Sequence, residues 1–281
     1  MKTILQNLYI NKLANLNDQF CFYLFNREEL NQKLNNFTSS ANPLYTTDLF
    51  KNNEYSKKIH VTFEKLPEFQ QQNETLNFGA YFSFSYEFFS SYIDDVIVLL
   101  EKTNRITLTE REQKKVPDER LKIAIGKCGS NLPIQELFET IEYCRLRRNY
   151  FTHILERLNN KFQDLVNNKG SNLNNYWSSA RMELDFTKHT VDEFTENETI
   201  ELLKIIRITL VEIDKFIGGI LNKTGVAEFI VTDVYSSKPT RINTEVVEKR
   251  KRKVLALAKK DFDIILTDTE MDNAVKTIGR K

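Results

Sequence analysis

The chain has 281 residues, enough for one large domain or for one domain with appendages. Charged residues make up 28% of it, and the formal net charge is +1, so any affinity for nucleic acid must come from a local patch rather than from the overall field. The 8 glycines and 5 prolines are too few for a β-rich fold with many tight turns or for a glycine-dependent phosphate loop.

The cysteines and histidines are few and scattered. The three cysteines, Cys21, Cys128 and Cys144, form no CxxC pair, which argues against a disulfide framework and a structural zinc site. The three histidines are too few for a His-based metal cluster. Neither a secretory signal core nor an apolar run of roughly 18–20 residues is visible, so we expect a cytoplasmic protein with no metal and no cofactor.

Residues 1–77 are predicted to form an N-terminal region of helix and loop. Apolar residues recur at helical spacing over 1–36, which predicts one or two helices. Residues 37–77 are rich in Ser, Thr, Asn and Gln and contain two prolines, as loops do. Within them the alternation of polar and apolar residues at 58–63 favours a short strand.

Three long helices are predicted to form a bundle over residues 78–222. The first covers about 78–102, where phenylalanines and branched aliphatic residues form a broad stripe. The second starts near Pro133, a residue type suited to a first helical turn, and continues to about residue 168. The third covers about 196–222.

Residues 223–281 are predicted to form a small mixed appendage. The β-branched and aromatic content of 225–235 favours a strand, about 243–260 has the pattern of a basic helix, and the tail from Asp261 is weakly patterned. The expected fold is therefore mainly α: a helical bundle with a helical N-terminal extension and a mixed C-terminal appendage.

Arg148 is a charge that the predicted second helix places inside its apolar stripe. It lies seven residues after Ile141, and Asn149 and His153, four residues apart, lie together on the flank of that stripe. A guanidinium in such a position must be neutralised or reached by water. Two interpretations stay open: an ion pair with a carboxylate of a neighbouring helix, for which Asp95 is a candidate, or a functional cleft.

Residues 148–153 have the sequence Arg-Asn-Tyr-Phe-Thr-His, which resembles the Arg-polar-x(3–5)-His motif of the HEPN superfamily (higher eukaryotes and prokaryotes nucleotide-binding). The context is similar as well, because the motif lies on a long helix late in a small helical bundle and another long helix follows. The resemblance covers about residues 78–222. It implies an HEPN-like bundle and a metal-independent endoribonuclease whose catalytic residues are Arg148, Asn149 and His153.

The active site that the resemblance implies is composite. In the superfamily two bundles typically dimerise so that two motif helices face each other, which implies a homodimer acting on RNA. An unperturbed imidazole titrates near neutrality, so the resemblance implies that His153 acts as general base or acid, that Arg148 stabilises charge on the phosphate, and that Asn149 orients either group. Attack by the ribose 2′-OH would leave a 2′,3′-cyclic phosphate and a 5′-OH.

The resemblance also implies a biological setting. Ribonucleases of this type act in anti-phage defence and in toxin systems, some with a regulatory or antitoxin partner. In toxins paired with a nucleotidyltransferase antitoxin the motif continues His-x-Tyr, but Leu155 stands at that position here. This departure argues against control by modification of a tyrosine.

A run of five basic residues near the C-terminus is the strongest charge block of the sequence. Its members are Lys249, Arg250, Lys251, Arg252 and Lys253. They could follow an RNA backbone together with Lys259 and Lys260. They could equally form the solvated face of a helix whose Val254, Leu255 and Leu257 pack inward, and the sequence leaves both interpretations open.

Two other classes of function are consistent with the sequence. One is a non-catalytic HEPN-like module that binds nucleotide, RNA or a partner protein. The other is a helical scaffold or inhibitor protein in which Arg148 is only a salt-bridge partner. We interpret the aromatic cluster at 81–92 as core and interface, and Tyr176 and Trp177 as anchors of a loop, rather than as surfaces that stack on bases.

Overall fold

A computed structural model describes residues 1–35, 44–132, 134–152, 160–189, 194–235 and 244–278. Within these ranges the chain is mainly α-helical, which confirms the mainly α part of the predicted fold, and the single β feature is an isolated antiparallel bridge between Tyr45 and Thr62. The helices are α1 (Ile4–Asn35), α2 (Thr46–Leu49), α3 (Ser56–Ile59), α4 (Leu66–Asn104), α5 (Glu110–Gln113), α6 (Pro117–Lys127), α7 (Gln135–Thr152), α8 (Asn160–Ser178), α9 (Glu196–Ile220), α10 (Lys223–Tyr235), α11 (Thr244–Phe262) and α12 (Asp268–Ile278). None of the described helices is long and apolar enough to cross a membrane.

Helices α1, α4 and α9 form a three-helix frame for the molecule. Helices α1 and α4 run antiparallel, because the ring of Tyr9 lies 5.6 Å from that of Tyr92 and the ring of Tyr23 lies 6.0 Å from that of Phe78. Helix α9 packs against both of them. Its buried residues recur every three or four positions, so the helix predicted over 196–222 is confirmed and its apolar stripe faces the core.

Asp214 on α9 ties the start of α1 to α4. Its carboxylate is fully buried and accepts hydrogen bonds from the Thr3 N–H (2.7 Å), the Thr3 hydroxyl (2.5 Å) and the Tyr92 hydroxyl (3.0 Å). Burial outweighs these bonds and raises the pKa of Asp214 above its ordinary value. Removing any partner of this cluster would leave a buried polar group unsatisfied.

The first bundle helix begins earlier than its stripe predicts. Helix α4 starts at Leu66 instead of Phe78, so the predicted boundary between residues 77 and 78 lies inside one continuous helix. Pro67, which the sequence analysis assigns to a loop, lies in the first turn of α4, where its missing N–H has no helical partner to lose. The strand predicted at 58–63 is wrong, since the chain there is a helical turn, a single bridge residue and a 3-10 turn.

The long second helix predicted up to residue 168 is wrong, because α7 and α8 are two helices packed side by side. The Trp177 indole N–H donates to the Thr140 hydroxyl (2.9 Å), and the Tyr143 ring lies 5.5 Å from that of Phe162. In one straight helix Tyr143 and Phe162 would be about 28 Å apart. Pro133 and residues 153–159 lie outside the described residues.

The C-terminal region is helical in its described parts, so the predicted mixed appendage and its strand at 225–235 are wrong. Val226, Ala227, Ile230 and Val231 are buried on α10 and lie within an arc of about 140° on a helix, whereas a strand would divide them between two faces. That face packs against α4 and α12, and this burial overrides the β-propensity of the individual residues. The basic helix predicted over 243–260 is confirmed as α11.

Helix α12 lies in the tail that the sequence analysis left without a pattern. Its start is marked by a capping box, in which the Glu270 carboxylate accepts from the Thr267 N–H (2.7 Å) and the Thr267 hydroxyl accepts from the Glu270 N–H (3.4 Å). This Thr-x-x-Glu signal was present in the sequence. Helix α12 packs against α10, which completes the C-terminal group of helices.

Candidate functional site

The candidate site lies on α7, where three arginines bind three different helices. Arg145 pairs with Asp118 of α6 (2.9 Å), Arg147 with Glu198 of α9 (3.0 Å), and Arg148 with Glu87 of α4. Successive residues of a helix point about 100° apart, so these three side chains leave α7 in different directions. They fasten α7 to its neighbours, and each guanidinium is neutralised within the chain.

Arg147 is the guanidinium that lies in the core. Its side chain is 1% exposed, and its charge is met by Glu198. It donates a hydrogen bond to the Tyr143 hydroxyl (3.1 Å), and its guanidinium lies 4.6 Å from the centre of the Phe194 ring. Burial opposes the charged form, but Tyr143 and Glu198 more than offset it and raise the pKa of Arg147. The predicted core guanidinium was that of Arg148, and this prediction is wrong by one residue.

The error in register has a structural cause. The predicted stripe was centred with residues up to 166, on the assumption that one helix continues through the motif. Helix α7 ends at Thr152, and its buried residues Tyr143, Cys144 and Arg147 define a stripe rotated by about one residue from the predicted one.

Arg148 lies at the surface between α7 and α4. Its side chain is 26% exposed, and that of its partner Glu87 is 48% exposed. Arg148 donates a hydrogen bond from Nη1 to the Asn149 side-chain oxygen (3.1 Å), while its Nε is buried without a hydrogen-bond partner among the described residues. The predicted partner, Asp95, instead accepts a hydrogen bond from the Tyr9 hydroxyl (2.6 Å).

The structure brings two of the three predicted catalytic residues together. Arg148 and Asn149 are adjacent, partly exposed and hydrogen-bonded to each other. His153 lies outside the described residues. The nearby Cys144 is not an alternative nucleophile, because burial raises the pKa of its thiol to about 12 and so keeps it protonated at neutral pH.

Glu87 is the ion-pair partner of Arg148 that the sequence does not predict. The sequence analysis assigned no partner from the polar side of the first bundle helix, yet tertiary packing places the Glu87 carboxylate against Arg148. No spacing in the sequence indicates this contact, since 61 positions separate the two residues. Helices α4 and α7 approach each other closely enough for this ion pair to form. Gly79 of α4 lies so near Phe151 of α7 that a Cβ at position 79 would be 2.2 Å from the Phe151 ring.

The five basic residues at 249–253 lie in different environments: one is buried, one is ion-paired and three are exposed. Arg250 is 6% exposed and its guanidinium lies 4.6 Å from the Tyr235 ring, so it belongs to the packing of α10 and α11. Lys251 pairs with Asp272 (2.6 Å) and with Glu248 (3.2 Å). The remaining three, Lys249, Arg252 and Lys253, are exposed. The sequence left open that Val254 and Leu255 pack inward from the basic helix. Val254 is buried, which confirms this for Val254, whereas Leu255 is 36% exposed.

The aromatic residues mostly build the core. Phe82, Phe89 and Tyr92 are buried in the three-helix frame, as predicted. Trp177 is 1% exposed and bonded to α7, so it cannot stack on a base; it anchors one helix to another rather than a loop.

A groove of about 680 Å³ lies beside the Phe194 ring, between α1, α4 and the start of α9. Its lining includes Arg27, Glu74, Phe194 and Glu196. Arg27 pairs with Glu196 (2.5 Å) and lies 3.8 Å from Glu74, so the groove carries no unneutralised cation for a phosphate. In the part of the chain that the structure describes, no group of three or more His, Cys, Asp or Glu side chains is placed to hold a metal ion.

Comparisons with known proteins give no relative from which a function can be transferred. No family model, no curated protein and no solved structure matches the chain. The resemblance to the HEPN superfamily therefore stays a prediction from residues 148–153 and their helical context.

Proposed function

We propose that the chain is a metal-independent endoribonuclease that binds the scissile phosphate with Arg148 and Asn149 and moves the proton with His153. One observation carries the proposal. Of the three arginines that fasten α7, Arg148 is the one whose guanidinium is most exposed, and it lies beside an amide that can also contact a phosphate. An RNA phosphate can reach this pair from solvent.

The reaction uses the ribose itself as the nucleophile. A general base, His153, takes the proton of the 2′-OH while the 2′ oxygen bonds to the adjacent phosphorus. The bond from phosphorus to the 5′ oxygen breaks, and a general acid protonates that oxygen, which leaves a 2′,3′-cyclic phosphate and a 5′-OH. Arg148 offers two parallel N–H donors to the non-bridging oxygens as their charge grows. A second copy of the motif, from a homodimer, would supply the acid.

Glu87 must yield for the phosphate to bind. Its carboxylate occupies the Nη2 side of Arg148, which is where one oxygen of a phosphate would lie. The pair is partly exposed, so it contributes at most about 1 kcal/mol, and an entering phosphodiester, which carries one negative charge, can displace the Glu87 carboxylate. Replacing Glu87 by Gln should therefore strengthen RNA binding and leave Arg148 in place.

The test is cleavage of a labelled RNA in EDTA by the purified chain and by its Arg148→Ala and His153→Ala variants. We expect cleavage by the parent chain, a loss of about 100-fold or more in both variants, and products that end in a cyclic phosphate. Arg207, an exposed arginine of α9, provides the control, since Arg207→Ala should cleave like the parent. Equal cleavage by the Arg148→Ala variant would refute the proposal.

The setting and the partners are proposed from the resemblance alone. A nuclease of this type fits a role in anti-phage defence or in a toxin system in the cytoplasm, as a homodimer and with a regulatory or antitoxin partner. Light scattering of the purified chain tests the dimer. A strictly monomeric chain that still cleaves RNA would remove the composite site from the proposal.

A second candidate function is a non-catalytic module that binds RNA, nucleotide or a protein partner. It is favoured by the observation that Arg145, Arg147 and Arg148 are each neutralised by a carboxylate of their own chain. In that case the motif is a helix clamp, and Arg148→Ala changes neither binding nor turnover. RNA binding without any cleavage by the parent chain would decide for this module.

A further inference from the structure

Positive charge is concentrated on α11. This helix carries seven Lys or Arg and three Asp or Glu residues, whereas the whole chain carries 40 and 39. The rest of the molecule therefore has a slight excess of negative charge. Attraction of a polyanion must come from the local field of α11, since the net field of the chain is close to zero.

The exposed charges of α11 share one face. Lys249, Lys253 and Lys260 point within about 40° of one another, and Arg252 lies about 60° to one side. All four are exposed, and none of them forms an ion pair within the described ranges. They cover about 16 Å along the helix axis at 1.5 Å per residue. We call these four residues the cationic face of α11.

The other lysines and the buried arginine of α11 are already engaged. Lys251 pairs with Asp272, and Lys259 pairs with Asp263 (2.7 Å). Arg250 packs on the Tyr235 ring. The helix thus divides its positive charges into two sets. One set contacts α10 and α12 or pairs with Asp263 at the end of α11, and the other is exposed, although the Lys253 Nζ also lies 5.9 Å from the centre of the Tyr235 ring.

We infer that the cationic face of α11 binds the phosphate backbone of RNA, where the choice of RNA as the polyanion rests on the proposed function. Each strand of a DNA duplex carries one charge per about 3.4 Å of axis, so a row of cations about 16 Å long is long enough to meet several phosphates of one strand. A membrane surface fits less well. The large exposed apolar residue of α11, Leu255, lies about 60° from Arg252 but about 120–160° from Lys249, Lys253 and Lys260, so a bilayer could not take up Leu255 and the three lysines from one direction.

The cationic face lies away from Arg148 and offers RNA a second place to bind. Phe229 of α10 holds α11 through a ring contact with Phe262 and contacts Lys102 of α4, fifteen positions from Glu87. That separation is about 22 Å along α4. RNA held on α11 is therefore bound away from the motif, and its affinity is separable from the chemistry at Arg148.

The experiment compares two double variants with the same loss of charge. Lys249→Gln with Lys253→Gln removes two members of the cationic face, and Lys251→Gln with Lys259→Gln removes two paired lysines. Both pairs are made in an Arg148→Ala chain, in EDTA, so that cleavage cannot consume the probe. The probe is a labelled single-stranded RNA of about 20 nucleotides, and anisotropy gives its Kd over a series of salt concentrations.

We expect the first double variant to reduce the slope of log Kd against log salt by about 1.4, the value for two lost contacts to a single strand. The second should keep the parent slope. Equal losses in both, no RNA binding by the parent, or binding to anionic phosphatidylserine vesicles in place of RNA would overturn the inference. RNA binding of the expected kind, with no cleavage by the native motif, would instead refute the proposed ribonuclease and leave this inference standing.

Discussion

Replacing Arg147 by Ala should destabilise the fold far more than the same replacement of its neighbour Arg148. Arg147 is 1% exposed and Glu198 is 9% exposed, so Arg147→Ala leaves a carboxylate buried without its partner. Breaking such a buried pair costs about 3–5 kcal/mol. The pair of Arg148 with Glu87 is partly exposed and contributes about 0–1 kcal/mol.

Thermal unfolding followed by circular dichroism measures the difference. For a chain of this length 1 kcal/mol corresponds to roughly 2 °C, so we expect Tm to fall by about 6–10 °C for Arg147→Ala and by at most about 2 °C for Arg148→Ala. A fall for Arg148→Ala as large as that for Arg147→Ala would refute the assignment of the core guanidinium to Arg147.

A double substitution separates the charge from the packing. Arg147→Met keeps much of the side-chain volume over the Phe194 ring, and Glu198→Gln removes the buried negative charge. Because two buried charges lose as much hydration as they gain in attraction, the double variant should recover most of the stability that Arg147→Ala loses. If the double variant is as unstable as Arg147→Ala, the loss comes from packing and the ion pair is not its cause.

Three further substitutions or probes test other parts of the fold. Gly225→Ala should lower the free energy of unfolding by about 1–3 kcal/mol or more, because its Cβ would lie 1.8 Å from a backbone carbonyl oxygen of α4. Gly219→Ala should instead stabilise by about 0.5–1 kcal/mol, because a Cβ there would meet no tertiary neighbour within 4 Å. Equal effects of the two substitutions in urea titrations would contradict the packing of α10 on α4. Burial raises the pKa of Asp214 above 3.8, so the folded state binds the proton more tightly and the stability contributed by this group falls as pH rises from 3.8 through the raised pKa. The stability of the parent relative to an Asp214→Asn variant should therefore decline over that window, and a relative stability that rises with pH would show the sign to be wrong. Cys21 is exposed and should react at once with a thiol reagent, whereas Cys144, with a pKa raised to about 12 by burial, should react only after unfolding; rapid modification of two or more thiols that includes Cys144 would contradict its placement.

Sequence reasoning was reliable where periodicity alone decides the structure. Helices α9 and α11 and most of α1 and α4 have apolar residues every three or four positions, and this spacing predicts an amphipathic helix. The predictions were wrong at the junction between α7 and α8. The apolar pattern through residues 153–159 gives no sign that α7 and α8 are separate helices. Because one continuous helix was predicted, the buried face of α7 was misplaced by one residue and Arg148 was predicted in the position of Arg147.

Composition misled the sequence analysis at α10. The residues Val226, Ile230 and Val231 favour strands in isolation, but the described residues offer no strand for them to pair with, whereas a helix buries them against α4 and α12. The β-propensity of a residue is a property of that residue alone. Whether a segment becomes helix or strand depends on the elements against which its side chains pack.

For the candidate site, the resemblance of residues 148–153 to the HEPN motif led us to predict phosphate chemistry at Arg148, Asn149 and His153, and this stays a prediction. The residue types could not reveal that Arg147 carries the buried charge, that Glu87 neutralises Arg148, or that Arg250 and Lys251 turn away from solvent while Lys249 and Lys253 face it.

Taken alone, the amino-acid sequence determined the helical character of this chain, because hydrophobic periodicity acts within a few turns and needs no partner. The tertiary structure decided which charges are buried, which are paired and which remain free to meet a ligand. Those outcomes depend on distances of a few ångströms between residues far apart along the chain, and no local pattern encodes such distances.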